Sequence, residues 1–355
     1  MTRIPFSVDE LKVIGMIPRA MPQGLDFDKL NTPIPARENY LAFLRNETPC
    51  WMPNGDCMAF CPAMLPENIA RGMVIEATPC DKRGGKDMFG VEWVYDEASE
   101  GSMVMPGSPC LPDTNMWKER VTFPDIDSWD WEGCAERNRE FLADTDIPIF
   151  MTHYTGLFER LIALMDFENA AIALIDEDQK EATKELLHAI CDLHMRILDY
   201  EIKYFNITGI LFHDDWGSQR SPFFSLETFR EMILPCVQKL TAYCHSKNIV
   251  FELHSCGHTE LLAEGIAETG IDMWRPQPMN DTDRLYREYG DKFKLGIRQP
   301  MFGPNATDED KINAARALVA RYNTPGKYVY TMSHFQDPLF RKVLYAESRL
   351  TYNKH

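Results

Sequence analysis

The sequence predicts an α/β fold, namely a TIM (β/α)8 barrel with a loop-rich N-terminal extension and a hairpin insertion. From about residue 147 onward, apolar stretches of strand length alternate six times with segments of helical periodicity. This alternation is typical of a parallel sheet covered by helices. Two further strands expected in the first half bring the number to eight. A doubly wound open sheet is the alternative, although no predicted strand is followed by a glycine-rich phosphate loop.

The first half of the chain lacks this regularity. Residues 1–35 are rich in proline and are predicted to form an irregular arm, and the proline-bounded segment 35–49 predicts a short helix. Residues 72–124 carry many glycines and prolines, and the alternation in FGVEWVYDEASEGSMVMPG predicts a hairpin insertion there. We interpret residues 1–355 as a single barrel domain, because barrels of this class are long.

Three local signals refine the regular half. Asp166 and Asp176 interrupt a long helical segment, and Pro235 predicts a kink in the helix that contains it. Thr259 is predicted to cap the helix that follows the strand at residues 249–257.

Composition limits the function classes. The chain has a formal net charge of −17, which predicts repulsion from nucleic acid and from anionic membrane surfaces. No stretch is long and apolar enough to span a bilayer, and the N-terminus has no signal-peptide pattern, so we expect a cytoplasmic protein. The 10 cysteines are scattered along the chain and are expected to be reduced thiols.

Reactive side chains follow the predicted strands at their carboxyl ends, which is where the working residues of a TIM barrel lie. Those ends read THYTG (152–156), FHDDWGSQ (212–219), ELHSCGH (252–258), RPQ (275–277), IRQ (297–299) and TMSH (331–334). Burying such groups without partners would cost free energy. The pattern therefore favours a functional site at this end of the sheet.

The segment IVFELHSCGHTE at residues 249–260 predicts a metal site. Side chains alternate along a strand, so Glu252, His254 and Cys256 point to the same face, which in a barrel can be the lumen. Imidazole and thiolate are both zinc ligands. A third ligand must come from elsewhere, and His334, at the end of the last strand, is the first choice. Asp215 on a neighbouring strand and Glu252 are the alternatives.

These motifs resemble the uroporphyrinogen decarboxylase superfamily. The resemblance rests on FHDDWGSQ followed by ELHSCGH, together with the N-terminal ARENYLAFLRNETP, and it spans about residues 35–334. It implies a TIM barrel. The true decarboxylases carry an Arg-Gln-Ala-Gly-Arg segment that grips the porphyrinogen carboxylates. Here that region reads CWMPNGDCMAFCPAM, which lacks the arginines, so decarboxylation of uroporphyrinogen is not expected.

The resemblance points instead to the cobamide-dependent methyltransferases. Members of that branch bind zinc through a His-x-Cys pair and a distant third ligand, often a C-terminal cysteine. His254 and Cys256 match the pair, no cysteine follows Cys256, and His334 stands at the matching place. The branch implies transfer of a methyl group from a small methylated donor to the Co(I) corrinoid (cobalamin) of a partner protein. A single cysteine leaves zinc more electrophilic, which favours a methoxylated aromatic donor.

The remaining polar side chains at the strand ends are assigned provisional roles. Asp215, His213 and His153 are candidates for substrate positioning or proton transfer, whereas the pair Asp214 and Asp215 could equally serve helix N-terminal hydrogen bonds. Arg298 and Gln299 are candidates for binding a substrate carboxylate or the corrinoid edge, and Trp216 and Tyr154 are candidates for binding the substrate.

Three other functions stay open at this point. The first is a methylcobamide:thiol methyltransferase working in the opposite direction, and the second is a metal-independent lyase like the decarboxylases. The third is a corrinoid-binding module without catalysis.

Overall fold

The computed structural model describes residues 4–17, 27–54, 59–60, 85–96, 101–105, 107, 109–143, 148–332 and 337–354. In chain order its strands are β1 (Val13–Ile17), β2 (Phe27–Leu30), β3 (Ala59–Phe60), β4 (Gly85–Lys86), β5 (Glu92–Asp96), β6 (Gly101–Val104), β7 (Ile149–His153), β8 (Gly209–His213), β9 (Val250–Ser255), β10 (Met273–Pro276), β11 (Lys294–Arg298) and β12 (Val329–Met332). The helices are α1 (Ala36–Leu44), α2 (Trp117–Arg120), α3 (Trp131–Arg137), α4 (Arg139–Ala143), α5 (Phe158–Met165), α6 (Phe167–Ala173), α7 (Lys180–Phe205), α8 (Leu226–Thr228), α9 (Leu234–Ser246), α10 (Ala263–Glu268), α11 (Thr282–Tyr289), α12 (Asp308–Arg321) and α13 (Pro338–Tyr352).

Seven of these strands form one parallel sheet in the order β12-β11-β10-β9-β8-β7-β3. Each strand from β7 to β12 is followed by one or more helices, as the alternation in the sequence predicts, and the fold is a barrel-like α/β arrangement. Its strands are buried on both faces, as in β8, where all five residues are buried. Such strands have nearly continuous apolar sequences because helices cover the sheet.

The eighth strand is where the structure differs from the prediction. Among the residues that the structure describes, the sheet does not close into a barrel. On the open side of the sheet, the N–H of Thr331 on β12 donates a backbone hydrogen bond of 2.8 Å to the carbonyl of Pro53, which precedes β3. Proline has no N–H to continue a ladder, and β3, a few residues later, has only two residues. Of the first-half strands in the described residues, β3 alone belongs to the main sheet.

The N-terminal arm is more ordered than predicted. It contains a 3-10 turn at Val8–Leu11 and an antiparallel pair formed by β1 and β2. Glu10 in this turn is buried and accepts hydrogen bonds from Arg349 Nε at 2.8 Å and from the Tyr345 hydroxyl at 2.7 Å. Because both partners lie on α13, this buried ion pair ties the start of the described chain to its last helix.

Within the predicted insertion, β4, β5 and β6 form a separate three-stranded antiparallel sheet. The buried carboxylate of Asp87 connects this sheet to α5. It accepts hydrogen bonds from Trp93 Nε1 at 3.0 Å and from the buried Arg160 guanidinium. The small sheet is thus fixed beside the carboxyl end of the main sheet.

The local helix signals have mixed outcomes. Asp166 separates α5 from α6 and has a positive φ of 65°, consistent with the predicted interruption. Pro235 lies in the first turn of α9, directly after a π-helical segment at Phe229–Ile233, so the chain has a helix junction there. Thr259 makes no side-chain capping hydrogen bond. No helix among the described residues combines the length and the apolar character needed to cross a bilayer.

Candidate metal centre

The site lies at the carboxyl ends of β8 and β9. These strands are adjacent and parallel, and their register pairs His213 directly with His254. The two imidazole rings consequently lie side by side, with centroids 4.4 Å apart. Asp215 and Cys256 each follow two residues later, so the period-two alternation places them on the same side as the histidines.

These four residues bring one potential ligand atom each to a common point. The ligand atoms of His213, Asp215, His254 and Cys256 all lie within 4.8 Å of one another. His254 Nε2 is 3.5 Å from Cys256 Sγ. Tetrahedral zinc with bonds of 2.0–2.3 Å separates its ligand atoms by roughly 3.3–3.8 Å, so small side-chain movements suffice. Three of the four side chains are partly exposed, and the centre is therefore accessible from solvent.

The orientation of His254 suits a metal ligand. Its Nδ1 lies 2.9 Å from the carbonyl oxygen of Arg275 on β10. A carbonyl oxygen only accepts, so Nδ1 carries the proton and Nε2 presents a lone pair toward Cys256. Burial and the neighbouring His213 hold the pKa of His254 well below its usual value. The neutral imidazole that a metal requires is thus the favoured form.

The electrostatics of the cluster also suit a cation. Burial and the charge of Asp215 raise the pKa of Glu159 to about 7, and the same two causes raise the pKa of the Cys256 thiol. Burial lowers the pKa of His213, but its hydrogen bond and attraction to Glu159 outweigh burial, and the net shift is upward. The carboxylates and the thiol thus crowd together with only His213, among the described residues, shown to attract them, and a divalent cation would stabilise their anionic forms in its place. The donor set is one that zinc accepts.

Glu252, an alternative third ligand, lies on the predicted face but is engaged elsewhere. It sits deeper along β9, fully buried. One carboxylate oxygen accepts hydrogen bonds from Arg275 Nε at 2.7 Å and from the hydroxyl of Tyr330. These three residues form an ion-pair network beneath the cluster, and the group of close ligand atoms does not include Glu252.

Two predicted site residues lie away from the cluster. His153 pairs in register with Phe212 and points to the helix layer, where its Nε2 is 2.7 Å from a carboxylate oxygen of Glu201 on α7. Alternation along β7 causes this, because His153 falls on the face opposite to the lumen. Trp216 is fully buried, and its Nε1 donates to Asp214 at 2.7 Å. Both side chains belong to the packed interior.

The remaining candidates occupy the surroundings. Tyr154 is buried, with its ring centroid 5.5 Å from that of His213. Gln299 is buried and donates to Thr331 Oγ1 at 3.0 Å, whereas Arg298 is exposed. In the described part of the chain, no contact joins Gln299 or Arg298 to the cluster. The predicted ligand His334 lies outside the described residues.

Asp214 has the helix-terminal role that the sequence left open. Its carboxylate accepts the N–H groups of Phe158 at 3.0 Å and Glu159 at 2.8 Å, at the start of α5. Burial raises the pKa of Asp214 to about 6 against the opposing effect of these hydrogen bonds. This contact brings Glu159 to the cluster, where its Oε2 is 3.4 Å from His213 Nδ1. Glu159 carries no motif in the sequence, and only the position of α5 after a strand end could have suggested it.

Comparison with known proteins gives a likeness in fold alone. No protein-family model and no curated protein matches the chain. Among solved structures, the fold is similar to that of a methyltransferase from Methanosarcina mazei, with a TM-score of 0.59 and 14% identity, covering 89% of this chain and 98% of that chain. A weaker likeness is to the IolI protein with a bound zinc atom, with a TM-score of 0.33 and 13% identity over 64% of this chain and 80% of that chain.

Proposed function

We propose that the protein is a zinc-dependent methyltransferase that moves a methyl group from a small methylated donor, a methoxylated aromatic compound, to the Co(I) corrinoid of a partner protein. The observation that carries the proposal is the convergence of four ligand atoms, from His213, Asp215, His254 and Cys256, within 4.8 Å of one another. The likeness in fold to a methyltransferase supports the reaction class. The His-x-Cys pair supports the corrinoid-dependent branch through the resemblance of its motif.

Zinc, when bound, would supply a Lewis acid that polarises the oxygen leaving the methyl group, provided that this oxygen binds as a fifth ligand or in exchange for one of the four donors. The residues of this chain would hold it and set its charge. Cys256 and Asp215 contribute two anions, and His254 and His213 contribute two neutral donors. The Cys256 N–H donates to Asp215 Oδ1 at 2.8 Å, which keeps these two ligands in a fixed relation.

The donor set bears on the type of substrate. Enzymes that activate a thiol gain from thiolate-rich zinc, because added thiolates reduce its electrophilicity and leave the bound sulfur nucleophilic. The set proposed here has one thiolate beside an oxygen ligand and two imidazoles, which leaves zinc more electrophilic. That composition favours cleavage of an ether over activation of a thiol.

The first test is elemental analysis of the purified protein beside four variants. We expect about one zinc per chain in the unaltered protein, and strong loss in Cys256→Ala, His254→Ala and Asp215→Asn, since each removes a ligand. His258→Ala is the matched control, because His258 lies in the same loop but its Nδ1 faces the carbonyl of Arg220 at 3.1 Å. It should retain its zinc. Absence of zinc after reconstitution, or its retention in Cys256→Ala, would sink the proposed centre.

His334→Ala tests whether His334, the third ligand predicted from the sequence, binds the metal in addition to the four residues proposed here. If the four residues at the ends of β8 and β9 suffice, this variant keeps its zinc. Loss of zinc in His334→Ala with retention in Asp215→Asn would return His334 to the ligand set.

The reaction itself is tested by mixing the zinc-loaded protein with Co(I) corrinoid protein and methoxylated aromatics, and following conversion of Co(I) to methyl-Co(III) by absorbance. We expect conversion that requires Cys256. The reverse experiment supplies methylated corrinoid and a free thiol. Methyl transfer to the thiol, without transfer from any ether, would replace this function by the thiol methyltransferase.

A further inference from the structure

The loop that carries Cys256 is held by a residue from the next strand–helix connection. Asn280 lies beyond β10 and is 4% exposed. Its Oδ1 accepts the N–H groups of Thr259 at 2.8 Å and Glu260 at 2.9 Å. Its Nδ2 donates to the carbonyl oxygens of Gly257 and Gln277, both at 2.9 Å. A primary amide offers two acceptor and two donor positions, and this one uses them all on backbone.

These contacts replace the local ones that a helix start normally provides. Among the described residues the Oγ1 of Thr259 has no hydrogen-bond partner, so the expected cap is not made by the loop's own side chain. Asn280 takes over the two orphan N–H groups from outside. The loop before α10 therefore depends on a distant residue for its shape.

Gly257, the residue directly after Cys256, is restrained from both sides of its backbone. Its carbonyl accepts from Asn280, and its N–H donates to Gln277 Oε1 at 2.8 Å. The next N–H, that of His258, donates to the Ser218 carbonyl at 2.7 Å. With the peptide groups on both sides restrained, the Cα–Cβ bond of Cys256 has a limited range of directions, and this direction together with χ1 sets where Sγ lies relative to His254.

We infer that Asn280 is a positioning residue for the metal centre: it holds the Gly257–Glu260 loop so that the Cys256 thiolate meets the other three ligands. The inference rests on the proposed function, because it assumes a metal at this centre. Asn280 acts through the backbone of Gly257 and does not touch the ligand atoms itself. Metal–ligand distances in protein sites stay within about 0.2 Å of their standard values, so a loosened loop should weaken binding without removing any ligand.

The test measures zinc affinity by competition with a chelator, in the full-length chain, for Asn280→Ala and Asn280→Asp. We expect the Kd for zinc to rise about 10–100-fold in Asn280→Ala, the range typical for residues that orient ligands. Asn280→Asp keeps an acceptor for Thr259 and Glu260 but turns a carboxylate oxygen toward the carbonyls of Gly257 and Gln277, so its Kd should rise as well. It also preserves a readout if the alanine variant fails to fold.

Cobalt substitution provides a readout that a purely structural role would not move. Co(II) at this centre has a sulfur-to-cobalt charge-transfer band, which should weaken and shift in Asn280→Ala. The matched control is Asn39→Ala. Asn39 is also fully buried and also ties backbone, accepting from Cys50 N at 2.7 Å and donating to the Trp51 carbonyl at 3.0 Å. It lies away from the cluster, so its loss should lower stability and leave both the Kd and the Co(II) spectrum unchanged.

The outcomes separate this inference from the function on which it rests. Zinc binding in the unaltered protein with the same Kd and Co(II) spectrum in Asn280→Ala would overturn the positioning role and leave the metal centre standing. An equal rise of Kd in Asn39→Ala would also overturn it, because the effect would then be general destabilisation. Failure of the unaltered protein to bind zinc would contradict both the proposed metal centre and the positioning role of Asn280.

Discussion

Substitution of Gly257 by alanine tests the close backbone contact that shapes the Cys256 loop. Gly257 has a positive φ of 88°, and a Cβ built on it would lie 2.1 Å from the carbonyl oxygen of Gly217 and 2.2 Å from its carbonyl carbon. Both neighbouring atoms are backbone, so no side chain can rotate away. We expect Gly257→Ala to separate the loops after β8 and β9, which carry Asp215 and Cys256.

The magnitude follows from two separable contributions. An L-residue in the left-handed region costs about 1–2 kcal/mol. Forcing a methyl group into a packed backbone contact adds roughly 1–3 kcal/mol. The free energy of unfolding should therefore fall by about 2–5 kcal/mol. The zinc affinity should fall as well, because the displaced loop moves one ligand.

Gly270→Ala is the control that removes the steric contribution. Gly270 also has a positive φ, of 77°, but a Cβ there would meet only Thr241 Cγ2 at 3.8 Å. Its cost should be limited to about 1–2 kcal/mol of backbone strain. Both variants are compared by denaturant unfolding and by zinc competition. If Gly257→Ala were no more destabilising than Gly270→Ala, the contact with Gly217 would not be a packing constraint and the reasoning would be refuted.

Three further predictions concern buried charges. Glu10→Gln should lower stability by about 3–5 kcal/mol at pH 7, because Arg349 stays buried without its partner. Burial opposes ionisation of Glu10, but hydrogen bonds from Arg349 and Tyr345 prevail and lower its pKa. The ionised Glu10 side chain therefore contributes to stability above about pH 4.3, and this contribution is lost as the pH falls through its folded pKa. Urea unfolding between pH 6 and pH 3 should accordingly depend less on pH in Glu10→Gln than in the unaltered protein. Glu201→Gln should weaken the buried hydrogen bond with His153, at a cost of about 1.5–3 kcal/mol, and leave the zinc content unchanged. Loss of zinc would contradict the placement of His153 in the interior. Burial lowers the pKa of Lys294 to about 8. Between about pH 8 and 10.4 the unfolded chain therefore binds more protons than the folded chain at this side chain. The free energy of unfolding should consequently rise with pH over that interval, by up to ~3 kcal/mol. Unfolding of Lys294→Met across the same interval should lack this rise.

The elements that could be predicted are those with strong periodicity. From β7 onward, apolar strands and amphipathic helices follow one another with short connections, and this pattern alone indicates a parallel sheet. The shared face of His254 and Cys256 follows from strand geometry and needs no tertiary information. The same reasoning placed Asp215 on the neighbouring strand, and the structure brings it to the cluster.

The position of His153, on the face opposite to the cluster, shows the limit of that reasoning. Alternation tells which residues share a face, but it does not tell which face is the lumen when both are buried. In β7 both faces are largely buried, so no polar side marks the outside. The register with β8, where His153 pairs with Phe212, decides the matter, and register is a property of two strands together.

The role of Asn280 could not be read from the sequence for a different reason. Its four hydrogen bonds reach residues up to 23 positions away, in another connection. An asparagine in a loop normally indicates a local turn, and nothing in its neighbourhood points to the loop of Cys256. Contacts between consecutive strand–helix connections become visible only when the sheet order is known.

All four proposed ligands lie between His213 and Cys256, within a single strand–helix–strand unit formed by β8, α8, α9 and β9. Their assembly thus requires the pairing of β8 with β9, which the register of His213 with His254 provides. A chain emerging from the ribosome has every donor, and the asparagine that clamps the loop, once residue 280 has appeared. Among the described residues, β11 and β12 supply none of these four donors.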